Sequence, residues 1–238
     1  MKSKTWSFVI AMTLFATLAV PVQLAAQDER PDSPKHHHYK LIDVGTFGGP
    51  SGLYSHPSSV DMNKRGMATG MADTGIQDPF APNCFYDCWV DHAFVWDGKT
   101  TDLGTLPGGL SSFPVGINDS GVVVGQSQNA TIDPLTGVPE LRAVLWQNGR
   151  ILDLGTLEGN EGNALAINDR GQVVGAATNA TPDPFANVSQ SSCQVLPTTG
   201  GCSGFTFAYN ALFSNSATET RAFVWQGGLM YDLGTLRS

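Results

Sequence analysis

Two short triplets carry the residue types that acid–base chemistry needs. Asp73-Thr74-Gly75 and Asp119-Ser120-Gly121 both read D-[ST]-G, the pattern with which aspartic proteases bring together two carboxylates that share a proton. The triplets lie at different places in the repeat described below and have no comparable apolar flanks. The second is simply a turn of that repeat, so we do not predict a protease.

No other pattern in the chain indicates a nucleophile or a metal site. The sequence has no G-x-S-x-G elbow, no H-E-x-x-H motif and no phosphate-binding glycine loop. His36, His37 and His38 could chelate a transition metal, but consecutive side chains on a charged, flexible segment make a weak site. A glycosidase needs only two carboxyls that the fold brings together, so the sequence leaves that alternative open. We predict no catalytic residue, no metal and no cofactor.

The elements that must position any site are defined by an internal repeat. A DVGT or DLGT phrase begins at Asp43, Asp102, Asp153 and Asp232. An aromatic AFVW or AVLW phrase ends at Trp96, Trp146 and Trp225. A turn phrase begins at Val60, Gly116 and Ala166.

Each repeat scans as four short strands joined by tight turns. In the second repeat these are Thr101–Leu106, Ser112–Ile117, Val122–Gln126 and Arg142–Trp146, with a turn at Asn118-Asp119-Ser120-Gly121. Sequential hairpins of this kind predict an all-β fold of four-stranded antiparallel units in a partial β-propeller-like arc. A β-trefoil is the alternative. The predicted units cover residues 39–96, 97–146 and 147–225, and the last DLGT phrase is expected to open a fourth unit at 226–238.

The phrases resemble the HAF repeat family of bacterial extracellular proteins, named for a His-Ala-Phe phrase that stands here as His92-Ala93-Phe94. The resemblance covers residues 39–236 apart from insertions, with Arg142 and Arg221 in place of the histidine. It implies a variable number of repeats and a propeller fold, without an agreed activity.

The recurring residues are better explained by structure than by chemistry. We expect the tryptophans to pack between neighbouring units, the DLGT aspartates to bond nearby backbone N–H groups, and the turn asparagines to stabilise their turns. These structural positions are Trp96, Trp146, Trp225, Asp102, Asp153, Asp232, Asn118 and Asn168.

Three insertions, predicted at residues 72–91, 127–141 and 177–220, distinguish the repeats from one another. All lie between the third and fourth predicted strands of their units, which should place them on one face, where binding usually resides. They share an Asp-Pro-apolar phrase, whose residues either contact a ligand or cap the start of the loop: Asp78 and Phe80, Asp133 and Leu135, Asp183 and Phe185.

The N-terminus carries the features of an export signal. Lys2 and Lys4 precede an apolar run and a small-residue site ending at Ala26, which predicts a cleaved signal peptide over residues 1–26. Residues 27–38 are expected to be a disordered linker, and residues 39–238 the repeat domain. We predict a secreted protein, extracellular or periplasmic, with no membrane association after cleavage.

Cysteine use and charge agree with export. Four cysteines in an exported chain predict two disulfides. Short loops favour Cys84–Cys88 and Cys193–Cys202, with cross-pairing between the insertions as the alternative. Without Lys2 and Lys4, 11 basic residues remain against 21 acidic ones, so a nucleic acid partner is excluded on electrostatic grounds.

The function that these features favour is a binding or structural surface module whose partner is a glycan or another surface protein. A secreted hydrolase or lyase on a propeller scaffold is one alternative, and a shortened gene product without independent function is another. Because three units and a surplus strand would not close a ring, we also expect self-association.

Overall fold

The computed structural model describes residues 39–54, 61–81, 84, 87–133, 137–182 and 218–235. Contacts divide the chain into a segment that ends at Ile42 and a compact unit that begins at Asp43. In the first segment Tyr39 and Leu41 are almost fully exposed. The second contains every strand.

The strands form three antiparallel sheets of four, each in simple meander order, so the predicted all-β fold of four-stranded repeat units is confirmed. The first sheet contains β1 (Gly48–Tyr54), β2 (Ala68–Gln77), β3 (Trp89–Trp96) and β4 (Thr100–Asp102). The second contains β5 (Ser112–Ile117), β6 (Val123–Ile132), β7 (Pro139–Gln147) and β8 (Arg150–Asp153). The third contains β9 (Glu158–Ile167), β10 (Val173–Pro182), β11 (Thr218–Gln226) and β12 (Leu229–Asp232).

Tight turns fix the register of the hairpins. Asn148 and Gly149 join β7 to β8 with φ values of 53° and 71°. Positive φ at both central positions is the geometry of a type I′ turn, whose twist matches that of the flanking strands. The Asn-Gly pair therefore explains why the aromatic strand turns directly into the DLGT strand.

The second sheet is covered on both faces because alternate side chains of a strand point in opposite directions. Val144 and Trp146 of β7 lie in a core with Ala93 of the first sheet. Ala143 and Leu145 lie in a second core with Phe223 of the third sheet. The three sheets are therefore layered in chain order, with β5 packed on β2 and β3, and β9 packed on β6 and β7.

Equivalent turns of successive units are linked by a series of hydrogen bonds, which we call the turn ladder (Asn63, Asn118 and Asn168). Asn63 Nδ2 donates to the Asn118 carbonyl over 2.9 Å, and Asn118 Nδ2 donates to the Asn168 carbonyl over 3.1 Å. The backbone N–H groups of Lys64 and Asp119 donate to the next unit's aspartate, over 3.1 and 2.9 Å. The ladder fixes each unit in one register against the next.

The sheets group the strands differently from the predicted units. Each DLGT aspartate from Asp102 onward ends the fourth, outer strand of a sheet, so the phrase closes a sheet where the sequence suggests that it opens one. β12 completes the third sheet by pairing with β11. Among the described strands there is no closed barrel, so separate layered sheets fit the predicted arc better than the trefoil.

The predicted insertions are also shorter than expected. β2, β6 and β10 continue past their predicted ends and pair with β3, β7 and β11 as far as Gln77, Ile132 and Pro182. Each pairing has an irregularity before its last residue pair. The last three residues of each strand are exposed and lack a regular apolar alternation, so they resemble loops in the sequence.

Candidate functional site

The connections between the second and third strands of every sheet occupy the same place in each unit. They span residues 78–88, 133–138 and 183–217, and the first two are partly described. Because the sheets are layered in register, these connections emerge at one edge of the molecule. We call this edge the loop edge.

The first two loops begin with the same backbone hydrogen bond, which their aspartates donate. The Asp78 N–H donates to the Cys88 carbonyl over 3.0 Å, and the Asp133 N–H donates to the Val138 carbonyl over 2.9 Å. Asp78 and Asp133 are 3% and 1% exposed, so their side chains are shielded from any ligand in solution. Phe80 is half-exposed. Leu135, Asp183 and Phe185 lie outside the described residues.

Three carboxylates meet beside the first loop. Asp73 of β2 is directly opposite Asp91 of β3, and oxygens of Asp73, Asp91 and Asp87 all lie within 4.8 Å of one another. Like charges directly opposite each other on neighbouring strands normally destabilise a sheet. We call these three residues the acidic cluster.

Asp91 is the most unusual member of the acidic cluster. It is 1% exposed, and neither carboxylate oxygen receives a hydrogen bond from a donor group in the described residues. Burial raises the pKa of Asp91 to about 8. A hydrogen bond to Asp73, which only protonated Asp91 can donate, and the charges of Asp87, Asp73 and Asp78 act in the same direction.

The other two members are better solvated or better bonded. Asp73 Oδ2 accepts from the Ser51 N–H over 2.8 Å. Asp87 is exposed, and its Oδ1 accepts from the Trp89 N–H over 3.2 Å. Partial burial raises the pKa of Asp87 despite that bond. None of the ion pairs between described residues involves a member of the cluster.

A disulfide closes the first loop next to the acidic cluster. Cys84 and Cys88 are bonded, with their Cα atoms 4.9 Å apart. This part of the predicted pairing is confirmed, and the cross-paired alternative is wrong for these two residues. Cys193 and Cys202 lie outside the described residues. The short covalent loop includes Asp87 and so restricts where that carboxylate can lie.

A second group of acids lies between the second and third sheets. Glu161, at the start of β9, is 6% exposed. Burial raises its pKa to about 8, and the charges of Asp133 and Glu140 raise it further. Asp133 Oδ2 accepts from Asn160 Nδ2 over 3.0 Å, and Glu140 Oε2 accepts from Asn129 Nδ2 over 3.0 Å.

The recurring DLGT aspartates bind their own turns. In the DVGT phrase and in all three DLGT phrases, Oδ1 accepts from the N–H of the glycine two residues later, over 2.7 to 2.9 Å. In the first two sheets the remaining oxygen contacts the third strand. Asp102 Oδ2 is 2.8 Å from His92 Nδ1, and Asp153 Oδ2 is 3.2 Å from Arg142 Nε. Burial acts to raise the pKa of Asp102, but the bonds from His92 and Gly104 outweigh it and lower the pKa.

The turn asparagines stabilise their own turns. Asn118 Oδ1 accepts from the N–H groups of Ser120 and Val122, each over 3.0 Å, and Asn168 Oδ1 makes the same two bonds in its own turn.

The repeated tryptophans differ in burial. Trp146 is 2% exposed in the core between the first and second sheets. Trp225 packs beside the core between the second and third, and Trp96 is half-buried.

The two D-[ST]-G aspartates have different partners. Asp73 lies beside Asp91 in the first sheet, whereas Asp119 forms an ion pair of 2.8 Å with Lys64 in the turn ladder. The fold thus does bring two carboxyls together, but Asp73 and Asp91 are 2% and 1% exposed. A polysaccharide or peptide bond cannot reach carboxyls at that depth, whereas a small ion can.

Asp87 and Asp91 were not singled out by the repeat pattern, because neither has an acidic counterpart in the other units. The signal available in the sequence was the density of Asp73, Asp78, Asp87 and Asp91 around a cysteine pair. Only the register of β2 against β3 shows which two of them face each other.

No helix in the described part of the chain is long and apolar enough to span a membrane. Comparisons of this chain with protein families, with curated proteins and with solved structures find no match.

Proposed function

We propose that this chain is a secreted β-repeat protein that binds a glycan or another surface protein through the loop edge. The observation that carries the proposal is the common position of the loops that follow β2, β6 and β10. Loops gathered at one edge of a rigid scaffold are a usual location for binding. The turn ladder and the two inter-sheet cores supply the rigidity.

Phe80 is the residue of the loop edge best suited to contact a ligand. It is half-exposed, and its N–H is held by Asp78 Oδ1 over 2.8 Å. A fixed backbone reduces the entropy lost when the aromatic ring is immobilised by a partner. Aromatic rings offer large contact areas to both sugars and protein side chains.

The test is retention of the purified protein on insoluble cellulose, chitin and peptidoglycan, with Phe80→Ala as the loop-edge variant. Leu152→Ala is the matched control, because Leu152 is 47% exposed on the outer strand β8. We expect retention on at least one glycan that Phe80→Ala weakens about tenfold, the loss of about 1.4 kcal/mol of contact, and that Leu152→Ala leaves unchanged.

The same incubations test the hydrolase or lyase alternative. Soluble sugar released over time would contradict a pure binding module and favour an enzyme. Equal retention of both variants would show that binding occurs away from the loop edge, and no retention would exclude these glycans and direct the test to surface proteins.

A further inference from the structure

We propose that Asp73, Asp87 and Asp91 bind a divalent cation, with Ca²⁺ as the ion that fits them best. This site lies at the base of the first loop and does not depend on the proposed ligand-binding function.

The geometry of the acidic cluster fits a single ion. Oxygens from the three carboxylates all lie within 4.8 Å of one another. Ca²⁺ binds oxygen ligands at 2.3–2.6 Å, so two oxygens on the same ion are at most about 5 Å apart. The spacing of the three oxygens is therefore within the reach of one Ca²⁺ after small side-chain adjustments.

The state of Asp91 independently indicates a missing partner. Its side chain is 1% exposed, and both oxygens lack a donor among the described residues. Leaving a buried carboxylate without a donor is costly, so buried charges in proteins are paired or coordinate metals. The side chain shares the small volume that contains the Asp73 and Asp87 oxygens, where a cation would satisfy it.

The charges around the cluster favour a cation over a pairing with a basic side chain. The charged groups that act on Asp91 are Asp73, Asp78 and Asp87, all acids. No ion pair between described residues reaches the three cluster members. A divalent ion would offset this repulsion.

The ligand types select the ion. All three side chains offer carboxylate oxygen, and the neighbouring Cys84 and Cys88 are bonded to each other, so no thiolate is available there. Hard oxygen ligands favour Ca²⁺ or Mg²⁺ over Zn²⁺. Asp87 lies on a short loop, whereas Asp73 and Asp91 lie on strands. This irregular arrangement of carboxylate ligands suits the variable coordination geometry of Ca²⁺ better than the strict octahedral geometry of Mg²⁺.

The existing contacts prepare the site for an ion. Asp73 is fixed by the Ser51 N–H, and the Asp91 backbone N–H donates to Ser111 Oγ over 3.2 Å. Asp87 is exposed and gives the ion access from solvent. The ion would therefore link the disulfide loop to the centre of the first sheet.

Two measurements on the purified protein test the proposal. The first is Tb³⁺ luminescence excited through tryptophan, because Trp89 is two residues from both Asp87 and Asp91. The second is the thermal midpoint at about 10 mM Ca²⁺, roughly ten times the dissociation constant of weak extracellular sites. We expect sensitised Tb³⁺ emission that Ca²⁺ displaces, and a rise of the thermal midpoint by about 3 °C or more.

Matched variants locate the site. Asp87→Asn removes an exposed carboxylate without disturbing the core, and we expect it to weaken Ca²⁺ binding at least about tenfold. Asp91→Asn should abolish the Ca²⁺ response while leaving the calcium-free midpoint equal or higher, because it replaces an uncompensated buried acid. Asp97→Asn is the control: it removes the same charge from an exposed position in the β3–β4 turn.

Three outcomes would overturn the proposal. One is the absence of both the emission and the midpoint shift in the unmodified protein. Another is a loss of binding in Asp97→Asn equal to that in Asp87→Asn, which would indicate general charge attraction. The third is an equal midpoint shift with Mg²⁺, which would exclude selectivity for Ca²⁺.

Discussion

At the scale of single residues, Glu161 makes the stability of the protein depend on pH. Its two counterparts in the other units are Ser51 and Ser111, small residues at the start of the first strand. Glu161 instead buries a carboxyl near Asp133 and Glu140, and one of its oxygens has no partner in the described residues. The unfolded chain leaves this group in water.

We predict that Glu161→Gln stabilises the protein at neutral pH. Since the folded pKa of about 8 lies above the ordinary value of 4.5, the folded state binds more protons than the unfolded state between these pH values. The contribution of Glu161 to the free energy of unfolding is therefore fully present below about pH 4.5 and is lost as the pH rises towards 8. At pH 7 the loss is roughly 3 kcal/mol, which Glu161→Gln should recover.

Urea unfolding at pH 5 and pH 8 measures this effect. The stability of the unmodified protein should fall across that range more than that of Glu161→Gln. Glu158→Gln is the control, because Glu158 is exposed on the same strand. Identical pH profiles for Glu161→Gln and the unmodified protein would contradict the prediction.

Residue types predicted hydrogen bonds to nearby backbone groups better than hydrogen bonds between distant parts of the chain. The aspartates and turn asparagines have side-chain oxygens that bond N–H groups two to four residues away, which follows from their short polar side chains. The donation of Asn118 Nδ2 to a turn 50 residues later depends on how sheets pack. The meeting of Asp73 with Asp91 depends on strand register, and neither is encoded in a local pattern.

At the scale of the strand, one glycine in β6 and one in β10 allow two backbones to approach closely. A Cβ on Gly125 would lie 2.0 Å from the Phe113 carbonyl oxygen, and one on Gly175 would lie 2.0 Å from the Asn163 carbonyl oxygen. Both glycines lie opposite the point where the first strand shifts its register. These glycines make the irregular pairing sterically possible.

We predict that Gly125→Ala destabilises the protein by at least about 2 kcal/mol, because backbone atoms cannot yield as a flexible side chain does. Gly116→Ala, in the partner strand, is the control. A Cβ there meets nothing closer than 3.7 Å, and the third unit has Ala166 at the same position. Thermal or urea unfolding of both variants checks the difference, and equal destabilisation would contradict it.

Strand existence was predictable and strand extent was not. β5 was predicted at its observed bounds, because apolar residues and clear turns surround it. The ends of β6 and β10 contain half-buried Asn and exposed Ala and Thr, and their strand conformation depends on the hairpin partner. Backbone pairing continues there without an apolar pattern to reveal it.

At the scale of the whole molecule, one face of the third sheet is exposed, whereas the equivalent face of the second sheet is buried. Val115 and Val124 of the second sheet are 8% and 0% exposed, whereas Leu165 and Val174 at the same positions are 41% and 44% exposed. The difference arises because β9 covers the second sheet. The third sheet therefore exposes apolar side chains at the positions that β9 covers on the second sheet.

We predict that the protein self-associates through this face, with a second copy supplying the covering unit. Light scattering at micromolar concentration should give more than the monomer mass, and Val174→Lys should restore the monomer. Ile76→Lys is the control, because Ile76 is 61% exposed on another sheet. A stable monomer for the unmodified protein would contradict the prediction.

The repeat phrases indicated the number of sheets correctly but not their boundaries. Sequence spacing alone does not reveal whether the DLGT strand pairs with the strand before it or the strand after it. The tight turns that precede it, such as Asn148-Gly149, favour pairing with the preceding strand. The surplus strand expected at the end of the chain is consequently the edge of a complete third sheet.

The turn ladder has a consequence for how such genes change length. At both junctions a side-chain amide of one unit donates to a backbone carbonyl of the next, and the Asn118 turn supplies both an amide donor and a carbonyl acceptor. A duplicated stretch of coding sequence that spans one unit would therefore bring both halves of its junction with it. Recombination that adds or deletes a whole unit would therefore leave these hydrogen bonds intact at the joins.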